Sequence, residues 1–158
     1  MGPTPSRRRI LVETVRLAWR SDAYLAQIAY RLRADLLSRR IPVVPMLLHR
    51  FSIIWAQISI SDTVLIKPGV SIPHGLVTIG GLVRIGTGVL VSPSVSIGLT
   101  AAGGYEGPQI GPGAHLGTGA RILGPVRIGA GARIGANAVV LADVPDGATA
   151  VGAPARVV

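Results

Sequence analysis

Aliphatic side chains recur at a step of six along the C-terminal two thirds of the chain. They stand at Ile60, Ile66 and Ile72, then Ile79, Ile85, Val91 and Ile97, then Ile110, Leu116, Ile122, Ile128, Ile134 and Val140. Four residues after most of these anchors comes a second small or β-branched apolar residue: Val64, Val70, Val83, Val89, Val95, Ala101, Ala114, Ala120, Val126, Ala132 and Ala138. Two positions per hexad are therefore expected to point inward. A period of six matches neither the 3.6 of an amphipathic helix nor the alternation of a hairpin meander. It matches a short strand followed by a corner, with three hexads completing one triangular coil. Glycine follows the anchor at positions 80, 86, 98, 111, 117, 129 and 135, where a corner requires an unusual backbone angle or a close approach of neighbouring coils. The pattern predicts a mainly β protein, a parallel β-helix over residues 59–144, whose stacked coils hide one another's strand edges.

The phase breaks twice. Ile72 to Ile79 spans seven residues, which places an inserted residue between Pro73 and Thr78, and Ile97 to Ile110 spans thirteen, so a loop is expected to leave the coil over residues 99–109. Interruptions of a regular scaffold are where function tends to be placed, and the first of them contains His74.

Residues 1–58 follow another rule. From Ser21 to Arg40, Leu25, Ile28, Ala29, Leu32 and Leu36 recur at helical spacing, predicting an amphipathic helix capped by Ser21-Asp22. Pro42 and Pro45 forbid its continuation, and Met46 to Trp55 reads as a second short helix leading into the coil. This helical prefix is expected to cap one end of the coil and a tail over 145–158 the other. Trp19, Tyr24, Tyr30 and Trp55 are expected to pack the prefix, with His49 structural.

Composition agrees with a core of small aliphatic residues and tight turns: 49% of the chain is apolar but only 4% aromatic, with 21 glycines and 12 prolines. The net charge of +9 is uneven, since residues 1–58 hold ten arginines and three acids while residues 59–158 are close to neutral. The basic prefix lacks the interleaved aromatics of a nucleic-acid stacking surface and reads as a solvated face. Glu13 and Arg16 spoil the first apolar run as a signal-peptide core, and His49-Arg50 interrupt residues 41–60, so no membrane span is expected. The absence of cysteine excludes disulfides, thiolate metal sites and a cysteine nucleophile, and is compatible with a cytoplasmic location.

Residues 56–158 resemble the hexapeptide-repeat acyltransferases, and within them the serine acetyltransferase-like group that includes many sugar and exopolysaccharide O-acetyltransferases. The resemblance is carried by Ile72-Pro73-His74-Gly75, by the hexads from Leu116 to Gly124, and by the ending Asp143-Val144-Pro145-Asp146-Gly147 through Val151-Gly152-Ala153-Pro154-Ala155-Arg156-Val157. It implies a left-handed coil, against the right-handed rule of parallel crossovers. It also implies a homotrimer, with pairing of trimers through the prefix left open, and acetyl-CoA as co-substrate in a cleft between neighbouring coils, with no metal. Carried over residue by residue, His74 is the catalytic base on the cleft floor. Gly98, Leu99, Thr100, Thr118, Ala120 and Ala136 line the cofactor cleft, and Arg133 and Arg156 are candidates for its phosphates, for which guanidinium forks are suited. Glu106 is a candidate for orienting a histidine across a subunit boundary.

The implied reaction is transfer of an acetyl group to a hydroxyl of a small molecule, a sugar or other metabolite, with serine open as well. An imidazole can take the hydroxyl proton near neutral pH, and backbone N–H groups near Gly98 or Gly103-Gly104 are candidates for holding the oxyanion. The chain departs from serine acetyltransferases on the acceptor side. Pro73 stands where they have an aspartate before the histidine, and Glu106-Gly107 where they have an Arg-His pair. A glutamate repels the carboxylate that the arginine would hold, so a hydroxyl compound other than serine becomes the better expectation. A coil that has lost catalysis and serves as a binding or assembly module is the alternative. Zinc-dependent carbonic anhydrases on the same coil need two histidines five residues apart; five residues after His115 stands Ala120, which argues against a metal enzyme.

Overall fold

The computed structural model describes residues 28–33, 35, 36, 43–100 and 104–158. Trp19, Tyr24, Ala101, Gly103, the side chain of Trp55 and the start of the helix expected from Ser21 lie outside these residues. Residues 28–33, 35 and 36 are helical, and helix α1 covers Val43–Ala56. It begins three residues before the expected Met46, with Pro45 inside its first turn. A proline is tolerated there because the first N–H groups of a helix have no intrahelical acceptor.

The strands sort into three sheets that form the sides of a triangular coil. The first side stacks β1 (Ile58–Ile60), β3 (Val77–Ile79), β6 (Ser96–Gly98), β9 (Arg121–Leu123) and β12 (Val139–Val140). The second stacks β2 (Leu65–Ile66), β4 (Leu82–Ile85), β7 (Glu106–Ile110) and β10 (Arg127–Ile128). The third stacks β5 (Leu90–Val91), β8 (His115–Leu116), β11 (Arg133–Ile134) and β13 (Thr149–Val151), joined by β14 (Arg156–Val157). Pairing along each side is parallel up to β13, and β14 runs antiparallel to it.

The step of six sets this register. Ile60, Ile79, Ile97, Ile122 and Val140 are partners up the first side. Ile66, Ile85, Ile110 and Ile128 are partners up the second, and Val91, Leu116, Ile134 and Ala150 up the third. Nearly all of these residues are buried, Ile66 being half-buried, and the buried second positions, from Val64 to Ala138, fill the space between them. Each such aliphatic side chain stabilises the coil by roughly 1.5–3 kcal/mol for the larger types. Glycine after the anchor answers to close approach: a Cβ on Gly129 would stand 2.3 Å from the backbone nitrogen of Asp146 in the next coil.

Two expectations change at the edges of the repeat. The segment expected as a loop over 99–109 ends earlier, because β7 begins at Glu106. Leu82 pairs with Glu106 but Arg84 with Gln109, so Gly107-Pro108 form a bulge opposite Val83. Proline cannot donate to the ladder, which makes Pro108 a natural place to absorb the extra residue. The tail, in turn, adds a rung to the coil. Arg133 pairs with Thr149 and Ile134 with Ala150, and only then does the chain reverse into β14.

The helical prefix is fastened to the first coil by polar contacts. The Tyr30 hydroxyl donates to the Val64 carbonyl at 2.5 Å, and burial raises its pKa above the usual phenol range. Arg33 donates to the Ile60 carbonyl at 3.3 Å and pairs with Asp62. Its Nη1 also lies 2.8 Å from His49 Nδ1. A guanidinium can only donate, so Nδ1 accepts and the imidazole is neutral. Burial first, and the charge of Arg33 second, hold the His49 pKa below its usual value, against the opposing pull of Asp62. A base with a depressed folded pKa contributes stability that is complete above its unfolded pKa and lost as pH falls through the folded one. The melting temperature is therefore expected to drop as pH is lowered from about 7.5 through about 6.5 and below. His49→Gln should flatten part of that drop; an identical pH profile for both proteins would refute the assignment.

Candidate active site

His74 lies in the bend between Ser71, which bridges to Leu90 on the third side, and β3 on the first. It therefore occupies the third–first edge of the triangle, at the corner that carries the inserted residue. Its side chain is exposed and makes no hydrogen bond or ion pair among the described residues. The turn is fixed from behind. A Cβ on Gly75 would stand 1.9 Å from the carbonyl oxygen of Ala56, the last residue of α1, and the Val77 N–H donates to the Gln57 carbonyl at 3.2 Å. The helical prefix thus ends directly against the turn that presents the imidazole.

The same edge continues through the later coils. Thr118 and Ala120 lie between β8 and β9, and Ala136 between β11 and β12, each a third-to-first corner. Gly119 N–H donates to the Pro93 carbonyl at 3.0 Å and Asn137 N–H to the Thr118 carbonyl at 2.8 Å, so the corners stack. Gly98, Leu99 and Thr100 fall elsewhere. Gly98 ends β6 and the other two enter the long connection to β7, which is the first–second edge. There the Leu99 side chain covers Gly81, and Thr100 lies beside Gly124.

Arg133 is exposed on the third side, in register with His115, and Arg156 is exposed on β14 at the end of that side. His115 also faces out, its Nε2 at 3.5 Å from Ser92 Oγ. Glu106 is exposed at the start of β7, on the second side. One chain thus brings His74, Thr118 and Ala136 to one edge, where the side chain of Ala120, expected to line the cleft, turns into the core and leaves only its backbone at the corner, and sets Gly98, Leu99, Thr100 and Glu106 at another. The residues missed by sequence reasoning are Lys67, Arg84, Gln109 and Arg127, which line a groove of about 450 Å³ on the second side. Their alignment was countable: Gln109 and Arg127 are three hexads apart. Among the described residues, no three His, Asp or Glu side chains gather as a metal site, and no helix is long and apolar enough to cross a membrane.

The family model for the bacterial transferase hexapeptide, six repeats, matches residues 107–142. No curated protein matches the chain in sequence. Solved structures do. Soybean serine acetyltransferase complexed with serine is 36% identical with a TM-score of 0.79, over 87% of this chain and 57% of its own. A serine acetyltransferase in complex with CoA is 29% identical with a TM-score of 0.78, over 87% of this chain and 57% of its own. Serine acetyltransferase from Neisseria gonorrhoeae is 29% identical with a TM-score of 0.80, over 87% and 55%. The chain spans just over half the length of these proteins. It has the left-handed parallel β-helix of this fold class. Residues 107–142 are thus hexapeptide repeats of the bacterial transferase type, and most of the chain is similar in structure to serine acetyltransferases.

Proposed function

We propose that this chain is an acetyl-CoA-dependent O-acetyltransferase that works as a homotrimer, with His74 as general base toward the hydroxyl of a small acceptor. The observation that carries the reading is the exposed imidazole of His74 at the corner with the extra residue, braced from behind by the end of α1. The similarity to serine acetyltransferases, one in complex with CoA and one with serine, supports the class of reaction. The imidazole takes the acceptor's hydroxyl proton as the oxygen attacks the thioester carbonyl carbon. The carbon–sulfur bond then breaks, and the departing thiolate recovers the proton from the imidazolium, giving an ester and free coenzyme A.

The two edges support an assembly of copies, which we take to be the trimer. A cleft containing both His74 and the Gly98–Thr100 segment needs the third–first edge of one copy beside the first–second edge of another. In such a cleft Thr118 and Ala136 would run along one wall with the backbone of Ala120 between them, Arg133 and Arg156 would stand near the cofactor's phosphates, and Glu106 would come from the neighbouring copy. A cytoplasmic location suits a reaction that consumes acetyl-CoA. The acceptor is better sought among sugars than with serine, because Pro73 offers no charge to an amino group and Glu106 repels the carboxylate that an arginine would hold.

The test is release of coenzyme A thiol from acetyl-CoA, with L-serine compared against a panel of sugars and amino sugars. Release with a sugar hydroxyl and not with serine is expected. Serine-dependent release would show that other groups replace the missing ones. No release with any acceptor, together with no binding of acetyl-CoA, would favour the non-catalytic binding coil.

A further inference from the structure

We propose that the second side of the coil binds the phosphate of a phosphorylated acceptor, through Lys67, Arg84 and Arg127. This deepens the acetyltransferase reading and rests on it. The register carries the argument: Leu65, Arg84, Gln109 and Arg127 are partners on consecutive coils. Neighbouring strands lie about 4.8 Å apart, so the Arg84 and Arg127 backbones are roughly 10 Å apart, with Gln109 between them. Two guanidinium groups at that spacing can close on one phosphate from either side. Lys67 lies on the coil below Arg84, its N–H donating to the Ile85 carbonyl at 3.0 Å.

These side chains line a groove of about 450 Å³, floored by the backbone at Gly86 and Gly111, a volume suited to a small metabolite. The charge in it is not neutralised. Among the described residues Arg33 pairs with Asp62, and Lys67, Arg84 and Arg127 are in no such pair. Asp146, the carboxylate that lines it, accepts from the Ala130 N–H at 2.8 Å, and nearby Asp143 accepts from the Arg127 N–H at 2.8 Å. Three cations therefore face one carboxylate already engaged with the backbone, on a coil whose charges otherwise nearly balance.

A second recess of about 250 Å³ adjoins the groove, sharing Leu65, Arg84 and Gln109 and bounded by Glu106. An anion held at Arg84 and Arg127 directs the rest of its molecule along this wall, where Gln109 and Glu106 offer partners to hydroxyl groups. A polyhydroxylated compound bearing a phosphate matches both halves.

Acetyl-CoA also carries phosphates, so the experiment must separate the two sources. Calorimetric titrations of the full chain with glucose 6-phosphate, glucose and CoA should be run on wild type, Arg84→Gln and Arg127→Gln, with thermal melts to verify that each variant folds. Glucose 6-phosphate is expected to bind and glucose not to; each substitution should weaken the sugar phosphate roughly tenfold and leave CoA unchanged. The affinity for glucose 6-phosphate should fall with added salt. Variants that weaken CoA and leave the sugar phosphate unaffected would overturn the proposal by giving the groove to the cofactor. So would failure of the wild type to bind glucose 6-phosphate while CoA binds. Loss of CoA binding alone, with the sugar phosphate still held by the arginines, would instead overturn acetyl transfer, and with it the role of this groove as an acceptor site.

Discussion

His74→Ala is expected to lower the turnover number for thiol release by roughly 10²–10⁴-fold, the range that a positioned general base contributes, with little change in the melting temperature. The two halves of this result have separate causes. Stability should hold because the imidazole is exposed and makes no hydrogen bond or ion pair among the described residues; exposed substitutions of this kind usually change stability by less than about 0.5 kcal/mol. Turnover should fall because no other histidine shares the edge: His115 faces out from the third side and His49 is bonded to Arg33 within the prefix. Measured at saturating acetyl-CoA and acceptor, the loss should appear in kcat and leave KM for acetyl-CoA nearly unchanged, since the substitution removes proton transfer and not cofactor contacts. A folded His74→Ala protein with full turnover would remove His74 from the chemistry and return the corner to a merely structural role.

The coil was legible because its signal is local and periodic. Each anchor from Ile60 to Val140 repeats the same burial requirement, and a triangular coil satisfies a six-residue step while a helix or hairpin does not. The two phase breaks were visible for the same reason, as failures of a count. What replaces the missing phase was not visible. Glu106–Ile110 are strand, because the ladder continues wherever a partner strand offers free backbone groups, and the Gly107-Pro108 bulge absorbs one residue of the surplus while the connection before Glu106 carries the rest. The docking of Arg33 on Asp62 and His49 joins segments whose relation depends on how the prefix lies against the coil. No spacing along the chain specifies that. The site divides in the same way. His74 stood out at an interruption, whereas the distribution of the other candidates over two edges required knowing which side each strand occupies. The basic column on the second side needed the repeat, the loop and the bulge, since Arg84 and Gln109 are twenty-five residues apart, seven more than the eighteen of a regular coil, and align only when loop and bulge together absorb that surplus.

Gly75→Ala is the substitution that should join stability and activity in one measurement. The added Cβ would meet the Ala56 carbonyl oxygen at 1.9 Å, the Ala56 carbonyl carbon at 3.0 Å and the Gln57 Cβ at 3.4 Å. The nearest atoms are backbone, at the end of α1, so no side chain can rotate away; either the helix end or the His74 turn must move. Overpacking of a tight contact costs about 1–3 kcal/mol, which in a domain of this size lowers the melting temperature by roughly 2–10 °C. If the turn yields, His74 is displaced, and a misplacement of about 1 Å can cost a further 10²-fold in rate. Gly88→Ala is the matched control. Gly88 has φ +66 with nothing within 4 Å of its Cβ position, so that change adds about 1–2 kcal/mol of backbone strain without touching the histidine. Similar losses of melting temperature are expected from the two variants, with loss of turnover from Gly75→Ala alone. Equal turnover in both would mean that the helix yields and the imidazole stays where it is, and that the prefix supports the coil without positioning its base.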